Sequence, residues 1–300
     1  MGDLVLDAVL APGRPLESGT DVPGRVALRQ GGSAANTARW LAHLGVRTSL
    51  VAAVGRDPIG RALVGAMSDA GVVPRIARVA GRPTGRIGVL IGPSGERSFV
   101  ADRGAADALS PEDVDPAWFR RVDAVHLPAY SLLGEPLGLA GRAAVALGRA
   151  EAALVSLDLA SIGPLLARGR RAARQLVASI APDILFATEA EALALIGRYA
   201  VEDLLDFTDL AVVKRGAKGA TLLARGRDGS RLRVEVATAS VATTDSTGAG
   251  DAFDAGFLAS YLVARRAGRT GPSVIHRAAL AGHRAATRQL VSPRPELTLG

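Results

Sequence analysis

The sequence contains no cysteine. That excludes disulfides, zinc–thiolate sites, iron–sulfur clusters and cysteine nucleophiles together. Histidine is nearly as scarce, at four copies. No two sit at a metal-ligand spacing, so a histidine-built metal site is not expected. Aromatic residues make up 4%, too few for the stacking platforms that bind single-stranded nucleic acid. No window offers the roughly 18 uncharged apolar residues that a membrane span needs. The N-terminus has no basic segment followed by an apolar run, and Asp3 and Asp7 interrupt it, so no secretory signal is expected. These absences predict a cytoplasmic protein with no membrane and no nucleic-acid partner.

What is there is an ordinary globular composition: 300 residues, 48% apolar and 22% charged. That length allows one or two domains, and one large α/β domain also fits. The net charge is +7. Lysine occurs only at Lys214 and Lys218, while arginine is spread from end to end, a compositional bias and not a binding stripe. The densest run, Arg168 to Arg174, reads as the solvated face of a surface helix. A net positive surface still favours an anionic substrate such as a nucleotide.

Strand-like and helix-like segments alternate. A helix is predicted from about Ala34 to Leu44, ending at Gly45. Strands are predicted at Thr48–Val54, Ala124–Leu127, Leu154–Leu159, Ile184–Ala187 and Leu210–Lys214. Most are separated by Ala/Leu/Arg-rich helical patterns, which argues for a parallel sheet with helices on both faces. Two regions break the pattern. Ala11–Gln30 is rich in Gly and Pro, and Thr84–Asp102 holds two short strands around Pro93-Ser94-Gly95, a hairpin signature. Together they form either a β flap that closes over a site or a plain edge hairpin.

Three glycine-rich turns could carry chemistry. In Thr243–Phe257 a polar turn leads into a helix that begins with Gly248, Ala249, Gly250 and Asp251. The first N–H groups of a helix lack internal partners, and small side chains let a phosphate approach them. Asp251 either accepts a proton from an attacking hydroxyl there or merely decorates a first helical turn. Gly31-Gly32-Ser33-Ala34-Ala35-Asn36 also opens a helix. Asn36 either meets a ligand hydroxyl or bonds its own backbone. Val212-Val213-Lys214-Arg215-Gly216-Ala217-Lys218-Gly219 reads as a nucleotide-side loop or as a plain strand turn.

The glycine pair with Asn36 and the Asp-Ser-Thr-Gly-Ala-Gly-Asp-Ala-Phe run, in this order and separation, resemble the two signatures of the ribokinase-like, or PfkB, carbohydrate kinases. The resemblance covers nearly the whole chain. It implies one doubly wound, mostly parallel α/β kinase domain over residues 1–300, with helices on both faces and a small β lid from segments near 11–30 and 84–102. It implies transfer of the γ-phosphoryl group of ATP to a hydroxyl of a sugar or sugar acid, with Mg²⁺ and a monovalent cation such as K⁺ as cofactors. Asp251 is then the general base, and the N–H groups of Gly248, Ala249 and Gly250 hold the transferring group. Asp7, Gly31, Gly32 and Asn36 bind substrate; Lys214, Gly216, Gly219 and Thr247 lie on the nucleotide side; Glu191 reaches the metal through water. A nucleoside kinase is the alternative within the family. A sugar- or nucleotide-binding regulator without activity is the alternative outside catalysis.

Departures from the family pattern narrow this. Thr188 stands where an Asn of an Asn-x-x-Glu motif is usual. Ser33 and Val5 replace a Lys and an Asn of ribokinases proper, which argues against ribose itself. Arg97 and Arg103 either supply a cation for a phosphate on the substrate or are solvated lid residues. Few residues precede Leu4–Leu10, so half of a central strand is expected to be missing, with Asp7 at a strand end in the central sheet. The set Ile87, Val89 and Ile91 is expected to face a substrate or a second subunit, with a homodimer joined through the flaps.

Overall fold

The structure, a computed structural model, describes all residues except 93–95, 198–199, 227, 244, 293 and 299–300. The first strand, β1 (Val5–Pro12), runs antiparallel to β2 (Gly24–Gly31), with Asp7 opposite Arg29 and Val9 opposite Ala27. Helix α1 (Ser33–His43) follows at once. Its N-cap, Gly32, has no side chain to offer, and Oδ1 of Asp3 accepts the Ala34 N–H at 3.2 Å instead. Strand β3 (Ser49–Gly55), helix α2 (Pro58–Asp69) and strand β4 (Val73–Val79) form a βαβ unit whose strands are parallel. Asp57 starts α2: its carboxylate accepts the Gly60 N–H at 2.8 Å, and Pro58 fills the first turn, where its missing N–H costs nothing.

Strand β5 (Arg86–Ile91) lies parallel to β1 and antiparallel to β6 (Arg97–Asp102). The result is a four-stranded sheet of order β2-β1-β5-β6. The expected hairpin over Thr84–Asp102 therefore forms, though its Pro93-Ser94-Gly95 turn lies outside the described residues. The placement of Leu4–Leu10 differs from expectation. All eight residues of β1 find ladder partners in β2, five of them also in β5, so the strand belongs to the four-stranded sheet. Met1 and Gly2 reach between β3 and the strand that holds His126. The Met1 ammonium donates to the His126 carbonyl at 2.7 Å, and the Gly2 N–H donates to Val51 at 3.0 Å.

The second half of the chain builds the larger sheet. Its elements are β7 (Ala124–Pro128), α3 (Leu137–Ala150), β8 (Leu154–Asp158), α4 (Ile162–Leu166), α5 (Arg170–Ile180), β9 (Ile184–Thr188), α6 (Glu189–Ile196), β10 (Leu210–Lys214), β11 (Ala220–Arg225), β12 (Arg231–Val236), α7 (Ala249–Arg266) and α8 (Pro272–Val291). Strands β7 to β10 are parallel, and β11 and β12 complete an antiparallel edge. The sheet order is β12-β11-β10-β9-β8-β7. Strands β8, β9 and β10 are buried and mostly apolar on both faces, as a sheet covered twice requires. Leu185 and Ala187 pack toward α3, α5 and α6. Ile184 and Phe186 pack toward Phe253 and Phe257 of α7 and Ile275 of α8. This is the mixed α/β fold that the alternation predicts.

Helices α7 and α8 approach closely through glycine. A Cβ on Gly256 would lie 2.6 Å from the Ala281 carbonyl, and one on Gly282 would lie 2.8 Å from that of Phe253. After α8 the chain returns along β2: Glu296 bridges Arg29, and the Leu297 N–H donates to Leu28 at 2.7 Å. Among the described residues no helix is long and apolar enough to cross a membrane.

Candidate active site

The turn before α7 is built as its sequence suggests. Gly248 takes a positive φ of 78° at the N-cap, a conformation that suits glycine. Among the described residues the N–H groups of Gly248 and Gly250 make no backbone hydrogen bond, while that of Ala249 donates to Ser246 at a long 3.3 Å. Open donors and the helix dipole together favour an anion here. Thr247 is buried, and its N–H donates to Asp245 at 2.9 Å.

Asp251 sits one residue past this opening, on the side facing α1. Ser33 Oγ donates to its Oδ1 at 2.7 Å, and the Asn36 amide donates to its Oδ2 at 2.8 Å. Burial pushes its carboxyl up to about 6, against the pull of those two donors. The base candidate is therefore ionised near neutral pH yet close enough to titration to take a proton. Asn36, expected to bind substrate, spends its amide on Asp251, and its Oδ1 accepts from Gln30 at 3.2 Å. Behind the turn, Trp40 Nε1 donates to Gln289 at 2.8 Å, and Gln289 donates to the Thr247 carbonyl at 3.1 Å.

The glycine pair is needed for close packing. A Cβ on Gly31 would overlap the Asp7 carboxylate, and one on Gly32, whose φ is 101°, would strike the Asp3 carbonyl. Asp7 is buried and held by Arg294, with Nη1 on Oδ2 at 2.7 Å. Burial raises its carboxyl, and the Arg294 guanidinium opposes the rise.

The parallel strands end nearby, where open α/β sheets place their ligands. Lys214, last in β10, directs Nζ to Asp158 at 3.2 Å and to both oxygens of Asp254 at 3.1 Å. Burial alone would lower the ammonium's pKa, but Asp158, Asp254 and Glu191 outweigh it and raise it. Its Nζ also lies 3.5 Å from where a Gly250 Cβ would be, so this cation is beside the helix opening. Glu191 is buried at the start of α6. Thr188, in place of the usual Asn, forms a capping box with it: the Thr188 N–H donates to Glu191 at 2.7 Å, and the Glu191 N–H donates back at 3.2 Å. Burial and Asp158 both raise the Glu191 carboxyl.

Two facing carboxylates are not a metal cage, and among the described residues no group of three or more ligating side chains forms one. They suit Mg²⁺, which keeps several waters and takes other ligands from phosphates. The loop of Gly216 and Gly219 has its own packing reason: Gly219, with φ 89°, lies directly under the Val236 carbonyl.

The sequence model of the PfkB carbohydrate kinases matches residues 1–292. The chain is 33% identical over 235 residues to an ATP-dependent ribose-1-phosphate kinase of Halopiger xanaduensis, which covers 77% of this chain and 73% of that protein. The chain belongs to the PfkB family of carbohydrate kinases. It is also 31% identical over 234 residues to fructokinase-1 of Oryza sativa, covering 74% of this kinase and 71% of that one. Among solved structures, adenosine kinase from Sinorhizobium meliloti matches with a TM-score of 0.81 at 26% identity, over 99% of this chain and 95% of that chain. Fructokinase from Vibrio cholerae, solved with fructose, ADP and calcium, has the same fold, with a TM-score of 0.79 at 23% identity over 98% of this chain and 92% of that one.

In this PfkB kinase the structure brings together Asp251, Gly248–Gly250, Asn36, Asp7, Thr247 and Lys214. Sequence reasoning missed Asp158, Asp254 and Arg294. Asp158 had a usable signal, an acidic residue ending a parallel strand. Arg294 had none, because its partner Asp7 lies 287 positions away.

Proposed function

We propose that this kinase transfers the γ-phosphoryl group of ATP to a hydroxyl of a small sugar or sugar acid, with residues 1–300 acting as one domain and the four-stranded sheet as its lid. The observation that carries this is Asp251. It stands next to N–H groups at the start of α7 that have no partner among the described residues, is fixed by Ser33 and Asn36, and has its carboxyl pushed up to about 6 by burial.

The acceptor hydroxyl lies between Asp251 and the helix opening, oriented by Asp7. As its oxygen bonds to the γ-phosphorus, its proton passes to Asp251 and the bond to the β,γ-bridging oxygen breaks, releasing ADP. Phosphoryl transfer asks the protein mainly for positioning and charge stabilisation. The Gly248 and Gly250 N–H groups and the Lys214 ammonium answer the charge on the equatorial oxygens. Ala249 adds its N–H if its long bond to Ser246 yields. Glu191 and Asp158 would hold Mg²⁺, which when bound would neutralise phosphate charge. Gly216, Gly219 and Thr247 border the nucleotide.

A nucleoside acceptor is the second reading, favoured by the likeness to an adenosine kinase. ADP release measured across sugars, sugar acids, sugar phosphates and adenosine tests both. Asp251→Asn should lower kcat by about 10²–10⁴-fold with the active acceptor while ATP affinity changes little. Absence of ATP turnover with every acceptor would instead favour a binding regulator.

A further inference from the structure

We propose that the acceptor already carries a phosphate, which Arg29, Arg97 and Arg294 bind beside Asp7, with Arg39 flanking them. The inference rests on the kinase reading above and specifies its substrate class.

Three separate segments deliver these side chains. Arg29 is directly opposite Asp7 in the β1–β2 register and so shares its face of the sheet. Its Nη1 lies 3.4 Å from Asp245. Arg97 begins β6 and donates from Nη1 to Thr247 Oγ1 at 3.0 Å, which puts it at the lip of the α7 opening. Arg294 comes from the segment after α8. Its side chain is 1% exposed, and its Nη1 contacts Asp7 and the Gln30 carbonyl. Arg39, on α1 one turn past Asn36, makes no hydrogen bond or ion pair among the described residues.

The cluster is short of acceptors. Nε and Nη2 of Arg294 and Nε of Arg29 are buried without a partner among the described residues. Such donors are costly to leave unpaired. Among the described residues the carboxylates set against these four guanidinium groups are Asp7, Asp245 and Asp251. Burial and the charge of Arg294 lower the proton affinity of both Arg39 and Arg97, so these cations already disfavour one another. A phosphate dianion supplies several acceptor oxygens in the geometry that guanidinium forks prefer. A neutral sugar supplies no compensating charge.

Arg103, the other candidate cation, is committed elsewhere. It bonds Asp107 at 2.7 Å, reaches Asp3 at 3.4 Å and lies 4.8 Å over the Tyr130 ring. The Halopiger relative is named for a phosphorylated acceptor. The reaction then adds a second phosphoryl group: a free hydroxyl forms the new O–P bond, its proton goes to Asp251, and ADP leaves.

The test compares ADP release with ribose, ribose 1-phosphate, ribose 5-phosphate, fructose, fructose 1-phosphate, fructose 6-phosphate, gluconate and adenosine. At least one sugar phosphate should exceed its parent sugar in kcat/KM by about 10²-fold. Arg97→Gln should reduce that ratio by tenfold or more, with Arg29→Gln as the second variant should the first fail to fold. A neutral sugar, adenosine or gluconate that outperforms every sugar phosphate overturns the phosphate subsite and leaves the kinase intact. If no acceptor supports ADP release, the kinase reading falls, and calorimetric titration of the same sugar phosphates decides the subsite. Binding that weakens at least tenfold in Arg97→Gln upholds it, and no binding, or binding unchanged in the variant, overturns it.

Discussion

The Asn36 amide donates to Oδ2 of Asp251 at 2.8 Å across 215 residues of sequence. Gln30 fixes the other end of that amide, so the group facing Asp251 is its NH₂. A donor to a carboxylate stabilises the ionised form.

The first prediction is a pH profile. The kcat/KM for the acceptor should rise as Asp251 ionises, with a midpoint near 6, the value to which burial raises it. Asn36→Ala removes one stabilising donor and should move the midpoint upward by roughly half to one pH unit. A midpoint unchanged in the variant would show that Asn36 does not tune the base.

The second prediction concerns stability. The Asp251 carboxyl titrates at about 6 in the folded chain against an ordinary 3.8, so the folded state binds this proton more tightly than the unfolded one. The ionised carboxylate therefore weakens folding: the cost is absent below pH ~4, grows through the interval and is complete above pH ~7. Asp251→Asn should stabilise the protein by about 1–2 kcal/mol at pH 7.5 and by almost nothing at pH 4. Urea titrations at both pH values would reveal it, and a gain equal at the two would refute the electrostatic origin.

Lys214 provides the third. Asp254 is fully buried and Asp158 nearly so. Lys214→Met strands both carboxylates, and the expected loss is about 3–5 kcal/mol. Neutralising one of them in Lys214→Met/Asp254→Asn should restore part of that stability. A double variant less stable than the single would mean that the network is not held together by charge.

The fourth addresses association. In the four-stranded sheet Ile87, Val89 and Ile91 share the Asp7 face with Val9 and Ala27. Leu10, Val26 and Val100 lie on the opposite face, the last two at 66% and 78% exposure, while Phe99, opposite Val89, is exposed on the Asp7 face. We propose that a homodimer, if formed through this sheet, uses that outer face. Light scattering should give twice the chain mass for the wild type and the single mass for Val26→Asp/Val100→Asp. A monomeric wild type at micromolar concentration would remove the dimer.

Much of the fold was legible because local rules carry it. The strands β7 to β10 are short apolar runs, and α1 and α7 start at glycine turns. The N–H opening at Gly248 and the acid at Asp251 were readable for the same reason, since a helix start is a local event. The glycine pair was readable as a motif, but not its cause, which is the Asp7 carboxylate packed beneath Gly31. What stayed hidden depends on distant pairing: Lys214 with Asp158 and Asp254, Arg294 with Asp7, Gln289 with Trp40. Thr188 showed as a departure in the sequence, whereas its role as a helix cap needed the position of Glu191.

The Asp7–Arg294 pair also sets an order of events during synthesis. A ribosome adds about 5–20 residues each second, so Arg294 emerges roughly 15–60 s after Asp7, which it follows by 287 positions. Through that interval the β1 carboxylate lacks its ion pair with Arg294, and β2 lacks the strand-like contact later made by Glu296 and Leu297. Strands β7 to β12 leave the ribosome earlier, but α8, which covers one face of their sheet, ends at Val291 just before Arg294. The Asp7 end of the four-stranded sheet thus waits for Arg294 before this ion pair closes, and chaperones would meet β2 as an unfinished edge.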